Sequence, residues 1–305
     1  ANDDAGNLLN GTPQYDSYCL AATNHGFTCP SATLPLPPGC HSYHQGPQDF
    51  RYVQYSSFWA GVAVNPTGSD DKDIGVYPEG GGMPFATSSV GSGTDFVVGD
   101  FNHNPTGTYQ PRVFYGGVNT DYVVEWDAGP DVLNAGSVVS GTVGGGSGEC
   151  GLIRVWDVFL EAGRTYRFRS RWTGGPAMVR LALFRNPGAS PFWTGRSFSE
   201  FEFLSGESHD YTAPASDTYG LVVFNDSADS PPGSYDLHFL EVPVPLVADV
   251  CQSWSISPRM FSYPSGGNFW RGVAVNPTGT DDKDLVLYED EDGTGTPLAT
   301  SVGTS

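Results

Sequence analysis

Few residues in this sequence are grouped as catalysis or metal binding would group them. The clearest case is Asp70-Asp71-Lys72-Asp73, which returns as Asp281-Asp282-Lys283-Asp284. Carboxylates this close together in a turn can supply oxygens to Ca2+, a hard cation that prefers oxygen ligands. Asn65 and Asn276, just upstream of each loop, can add carbonyls. The spacing is not that of an EF-hand. Asp also favours turns because its side chain bonds nearby backbone N–H groups. A solvated turn is therefore the simpler reading of the same residues, and Ca2+ is the one cofactor worth testing. The acidic run Glu289-Asp290-Glu291-Asp292 reads as a solvated loop, since its counterpart Pro78-Glu79-Gly80 is poor in acids.

The cysteines are Cys19, Cys29, Cys40, Cys150 and Cys251. None form CxxC, and their Gly/Pro-rich surroundings favour disulfides in an oxidising compartment over metal ligation. Cys40 with Cys150 and Cys19 with Cys29 is the leading pairing; Cys29 with Cys40 is the alternative. Cys251, the repeat counterpart of Cys40, is then expected to find its partner beyond Ser305. Cys29, Cys40, His41 and His44 have neither the spacing of a c-type haem attachment site nor that of a zinc site. No G-x-S-x-G elbow and no H-E-x-x-H occurs, so no enzyme is expected.

Arg167, Arg169 and Arg171 form a stripe, and eight of the chain's arginines lie between 154 and 196. Either the stripe contacts an acidic loop of a neighbouring unit, since Arg suits interfaces, or it is a solvent-facing sheet surface. The net charge of −20 repels phosphate backbones and anionic membranes. No apolar run approaches the length a membrane helix needs. Nucleic-acid partners and membrane insertion are therefore not expected. The N-terminus Ala1 is compatible with signal cleavage.

The elements that must carry these residues are strands. With 40 glycines and 24 prolines, about a fifth of the chain is turn-forming. Between the turns stand Val, Tyr, Phe, Trp and Thr, the strand-favouring residues. Tyr166-Arg167-Phe168-Arg169-Ser170-Arg171-Trp172 alternates, with aromatics on one face and arginines on the other. No window keeps helical apolar spacing without a Gly or Pro. An internal repeat sets the organisation. FWAGVAVNPTGSDDKDIGVY (58–77) recurs as FWRGVAVNPTGTDDKDLVLY (269–288) at an offset of 211 residues. PFATSSV recurs as PLATSVG with two extra residues in the second copy. A fainter repeat links YQPRVFYGGVNTDYVVEW (109–126) to YGLVVFNDSADSPPGSYDLHF (219–239).

The expected fold is all-β, with tandem antiparallel β-sandwiches of jelly-roll or Ig-like kind. An extended arm or linker occupies 1–39, the first sandwich 40–129 and the second 130–245. The first half of a third sandwich, repeating 40–95, occupies 246–305. Half a sandwich leaves an apolar face and strand edges open, so further repeats of a longer chain, or strands of another copy, are expected to complete it.

The second unit resembles the bacterial pre-peptidase C-terminal (PPC) family of β-sandwich domains. The likeness rests on VWDVFLEAGRTYRFRSRW (155–172), VRLALF (179–184), FLSGESHDYTAPASDTYGLVVFND (203–226) and GSYDLHF (233–239). The first unit lacks the EAG turn. The resemblance implies an accessory module of secreted proteins, used for attachment, binding or spacing, and no peptidase activity. The expected protein is thus extracellular or at the cell surface, structural or adhesive, with copies of itself or neighbouring repeats as partners. The alternative is a glycan-binding or accessory module of a larger secreted hydrolase.

Overall fold

The computed structural model describes residues 33–36, 39–43, 48–54, 57–66, 71–91, 93–103, 107–115, 120–144, 151–174, 179–226, 232–245, 261–262, 273–274, 285–287 and 297–301. Nearly all of them lie in strands or the turns between. The one helical element described is a 3-10 turn at Arg196–Phe198. Among the described residues no helix is long and apolar enough to cross a membrane.

The first unit begins with β1 (Leu34–Pro35), β2 (Gly39–Tyr43), β3 (Gln48–Gln54), β4 (Trp59–Pro66) and β5 (Lys72–Pro78). It continues through β6 (Ala86–Ser88), β7 (Asp95–Asp100), β8 (Gly107–Tyr115) and β9 (Tyr122–Asp127). The second unit runs β10 (Val132–Leu133), β11 (Ser137–Val143), β12 (Ile153–Leu160), β13 (Thr165–Gly174), β14 (Val179–Phe184) and β15 (Trp193–Gly195). Then come β16 (Phe201–Leu204), β17 (Ser208–Thr212), β18 (Asp217–Asn225) and β19 (Gly233–Glu241). Four short strands follow: β20 (Val244–Pro245), β21 (Phe261–Ser262), β22 (Leu285–Leu287) and β23 (Ala299–Ser301).

Each of the two large units is a pair of sheets. In the first, β1-β3-β8-β5-β6 faces β15-β7-β4-β9-β2 across a core that includes Phe50, Tyr52, Val62, Val76, Val97 and Trp126. In the second, β10-β12-β18-β14-β16 faces β11-β19-β13-β17 across Phe168, Leu181, Leu221, Tyr235 and Phe239. Pairing is antiparallel apart from the short strands β1, β10 and β20. The first unit reaches back to Leu34, within the range expected as an arm, because β1 pairs with β3 and Leu36 enters the core.

A third apolar cluster joins the two units. Trp59, Ala63, Phe96, Val98 and Val123 of the first pack against Ile153, Val155, Ala182, Phe184, Val222 and Phe224 of the second. The β4-β7-β9 sheet therefore has both faces covered, and β4, β7 and β9 are buried at every residue. Strands covered on both sides lose the in-out alternation of a surface strand. By contrast β19 alternates strictly, because its sheet meets solvent. Two glycines allow the sheets to approach. A Cβ on Gly220 would lie 2.5 Å from the Trp59 ring, and one on Gly61 would lie 2.8 Å from Ile153 Cδ1. The units are also stitched by a strand: β15, from the range of the second sandwich, pairs with β7 and delivers Trp193 into the first core.

Candidate metal centre

Of the acidic loop, Asp71 and Asp73 are described; Asp70 lies outside the described residues, as do Asp281, Asp282 and Asp284. Asp71 and Asp73 flank the start of β5. There they meet Asp95, the first residue of β7, with one carboxylate oxygen of each within 4.8 Å of the others. Asp95 is wholly buried. Its Oδ1 accepts hydrogen bonds from Ser88 Oγ at 2.5 Å and from the Val90 N–H at 3.1 Å. Burial, followed by the negative charges of Asp73 and Asp71, pushes its carboxyl up to about 7, against the stabilising bonds from Ser88 and Val90. Three oxygens this close can be reconciled by a shared proton or by a hard divalent cation. Lys72, between the two loop aspartates, is buried with its ammonium 5.7 Å from the Tyr122 ring centroid.

Asp95 was not legible as a partner of the loop. It lies far along the chain, at the head of the apolar run DFVVGD. The only sequence signal is parity: Asp95 and Val97 share a strand face, and Val97 is in the core. An acid in phase with core residues is the pattern to search for.

A second acidic group lines the seam between the sandwiches. Asp157 on β12 accepts the Trp59 N–H at 2.8 Å and the Asn102 side-chain amide at 3.0 Å. Asp100 accepts from the Asn186 amide at 3.0 Å and contacts His103 Nδ1 at 2.7 Å. His103 Nε2 lies 3.5 Å from Asp217. Glu125 accepts the N–H groups of Gly151 and Leu152, and Asp127 that of Val155. Burial pushes Asp157 up to about 6 and raises Glu125 and Asp127. The bond to Asp100 raises His103. These acids satisfy backbone donors that the seam would otherwise strand. Among the described residues these contacts tie the first unit to the second.

The arginines of the second unit are largely answered within it. Arg167 pairs in bidentate fashion with Asp210 on the adjacent β17. Buried Arg164 meets Glu161 and Glu241 at 2.9 Å each. Arg196 meets Glu202 and Asp226 and lies 4.5 Å over the Phe224 ring. Arg169 and Arg171 are exposed on the same sheet face, with Arg171 opposite Asp236. Much of the basic segregation is thus an internal ion-pair set. Cys40 is disulfide-bonded. Cys19, Cys29, Cys150 and Cys251 lie outside the described residues.

No family model matches the sequence, and no curated protein matches it. Among solved structures, the chain is similar to the tail fiber protein gp63.1 of an E. coli phage, with 9% identity and a TM-score of 0.24. The match covers 74% of this chain and 43% of that one, so it spans under half the length of that fibre protein.

Proposed function

We propose that this chain is a non-catalytic structural or adhesive repeat protein of the cell exterior, assembled through strand contacts between repeat units. The supporting observation is the third unit. Leu285, Val286 and Leu287 pair with Ser301, Thr300 and Ala299. Their repeat counterparts Ile74, Gly75 and Val76 pair with Ser88, Thr87 and Ala86 in the same register. The flanking bond recurs too: Phe85 N–H to Val76 O at 2.7 Å, and Leu298 N–H to Leu287 O at 2.8 Å. In the first unit Ile74 and Val76 are wholly buried, because β8 flanks β5 and the β4-β7-β9 sheet lies opposite. Leu287 and Leu298 are 51% and 60% exposed. Among the described residues β22 pairs with β23 alone, and this register with an exposed apolar side invites an antiparallel strand of the β8 kind, from a neighbouring repeat or another copy.

Binding of a labelled peptide of residues 107–115 to the full chain tests this reading. Saturable one-to-one binding that Leu287→Asp abolishes is expected. A chain that binds neither the peptide nor its own copies, by fluorescence anisotropy and sedimentation, overturns it.

The same reading has the protein in an oxidising compartment and pairs Cys40 with Cys150. Glu125 lies opposite Cys40 in the β2–β9 ladder and binds the N–H of Gly151, the residue after Cys150. Peptide mapping without reduction is expected to recover a Cys40–Cys150 fragment; a Cys29–Cys40 fragment would replace that pairing with its alternative. The likeness of the second sandwich to PPC domains supports an attachment or spacing role.

A further inference from the structure

Among the described residues the β1-β3-β8-β5-β6 sheet of the first sandwich lies away from the seam, and its outer face is not flat. On β3, Phe50 and Tyr52 point into the core, so Asp49 and Arg51 point out; on β8, Pro111 and Val113 point in, so Gln110 and Arg112 point out. These outward residues line a cavity of about 360 Å3 together with Glu79 and Thr108. Asp49 stands opposite Arg112 in the ladder and accepts from its Nε and Nη2; it also accepts from Gln110 Nε2 at 3.2 Å. The Arg112 guanidinium lies 4.5 Å over the Tyr77 ring, which fixes its plane. At the rim Arg51 and Glu79 meet at 3.3 Å, each more than half exposed. The glycine pair Gly80-Gly81 closes one side, with open space where side chains would stand.

The lining has a definite chemistry. Two guanidinium groups face two carboxylates, so the cavity is locally neutral within a chain of charge −20. It selects neither an anion nor a cation by charge. It offers paired donors and acceptors, oriented by their mutual bonds, plus an amide and a hydroxyl. Adjacent hydroxyl groups on one ring need such a pairing, each donating once and accepting once. The volume falls in the range of small-ligand sites. We propose that this groove on the outer sheet of the first sandwich binds a neutral saccharide, with the Asp49–Arg112 pair as its floor and Arg51 and Glu79 as its rim.

This site does not depend on the third unit, so it stands or falls separately from the assembly reading. The test is affinity electrophoresis of the full chain through gels holding dextran, mannan, xylan or a mixed-linkage β-glucan. Retardation by at least one is expected. The double variant Arg51→Ala/Glu79→Ala, both at exposed positions, is expected to weaken it about tenfold or more, as loss of charge-assisted bonds does. Arg169→Ala, on the outer face of the other sandwich, is expected to leave it unchanged. Absence of retardation in all four gels, with the protein shown folded by its thermal transition, overturns the proposal. So does retention that the double variant leaves intact, or binding confined to sulfated dextran.

Discussion

Trp59→Ala is expected to cost about 3–5 kcal/mol of stability, the usual effect of truncating a large buried aromatic, by weakening the seam between the two sandwiches. Trp59 is wholly buried in the seam. Its indole N–H donates to the Thr218 carbonyl at 3.0 Å, and its ring lies edge-on to Phe192 at 5.9 Å. Its backbone N–H is held by Asp157. Thr218 and Asp157 belong to the second sandwich and Phe192 leads into β15, so the substitution removes the indole's contacts across the seam and leaves the backbone bond to Asp157. Both proteins are expected to melt in one transition, the variant's at a lower temperature, because β15 still ties the second unit into the first sheet; calorimetry reads the shift. Gly220→Ala probes the same contact from the other side. Its new methyl meets the Trp59 ring at 2.5 Å, and overpacking of this kind typically costs about 1–3 kcal/mol. In the double variant the methyl falls into the space the indole left. The two losses are therefore expected to be non-additive, with the double variant more stable than the sum of the single effects implies. Strict additivity would mean that Trp59 and Gly220 do not meet.

Stability is expected to decline as pH rises from about 4 to about 7, opposite to the behaviour of a protein held by ionised carboxylates. Asp95 has an ordinary value of 3.8 and is raised to about 7 in the fold; Asp157 rises from 3.8 to about 6. In each case the folded state holds a proton that the unfolded state gives up near pH 4. Folding is thus favoured below that point, and the advantage is lost as pH climbs through the folded-state value. From the size of the shifts the loss is about 4 kcal/mol for Asp95 and about 3 kcal/mol for Asp157. Glu125, Asp127 and His103 are raised as well and act in the same direction. Asp95→Asn mimics the protonated acid, so the variant is expected to match wild type near pH 4 and exceed it by about 2 kcal/mol or more at pH 8. Chemical denaturation across that range checks it, and a variant less stable than wild type at pH 8 would show that the ionised carboxylate is the stabilising form.

The strand character of the chain was legible because its signals are local. The alternation of Tyr166 to Trp172 needs only a sheet with one wet face, and β13 has Tyr166 and Phe168 in the core and its arginines out; Trp172, expected on the same inner face, is 37% exposed where the β13–β19 register shifts. The repeated hairpin was legible because copying preserves it. The seam was not. In GVAVNP the unbroken small and apolar run says that both faces are covered but not by what, since periodicity carries no information about partners. Gly61 and Gly220 read as ordinary turn or strand glycines until the opposing sheet is in place. The acidic site was half legible. Asp71 and Asp73 declare themselves by crowding, whereas Asp95 joins them only when the sheet holding β7 packs over the sheet holding β5.

The placement of β15 has a consequence for synthesis on the ribosome. The first sandwich needs Trp193 for its core and the Trp193–Gly195 strand for its sheet edge. Both are translated after β10 to β14, so β2 to β9 emerge with a gap that nothing yet made can fill. The nascent first sandwich must wait, open along β7, until much of the second has left the exit tunnel. The smallest piece that can close is then the pair of sandwiches, and a gene cut at the boundary between them would express a half that lacks its final strand.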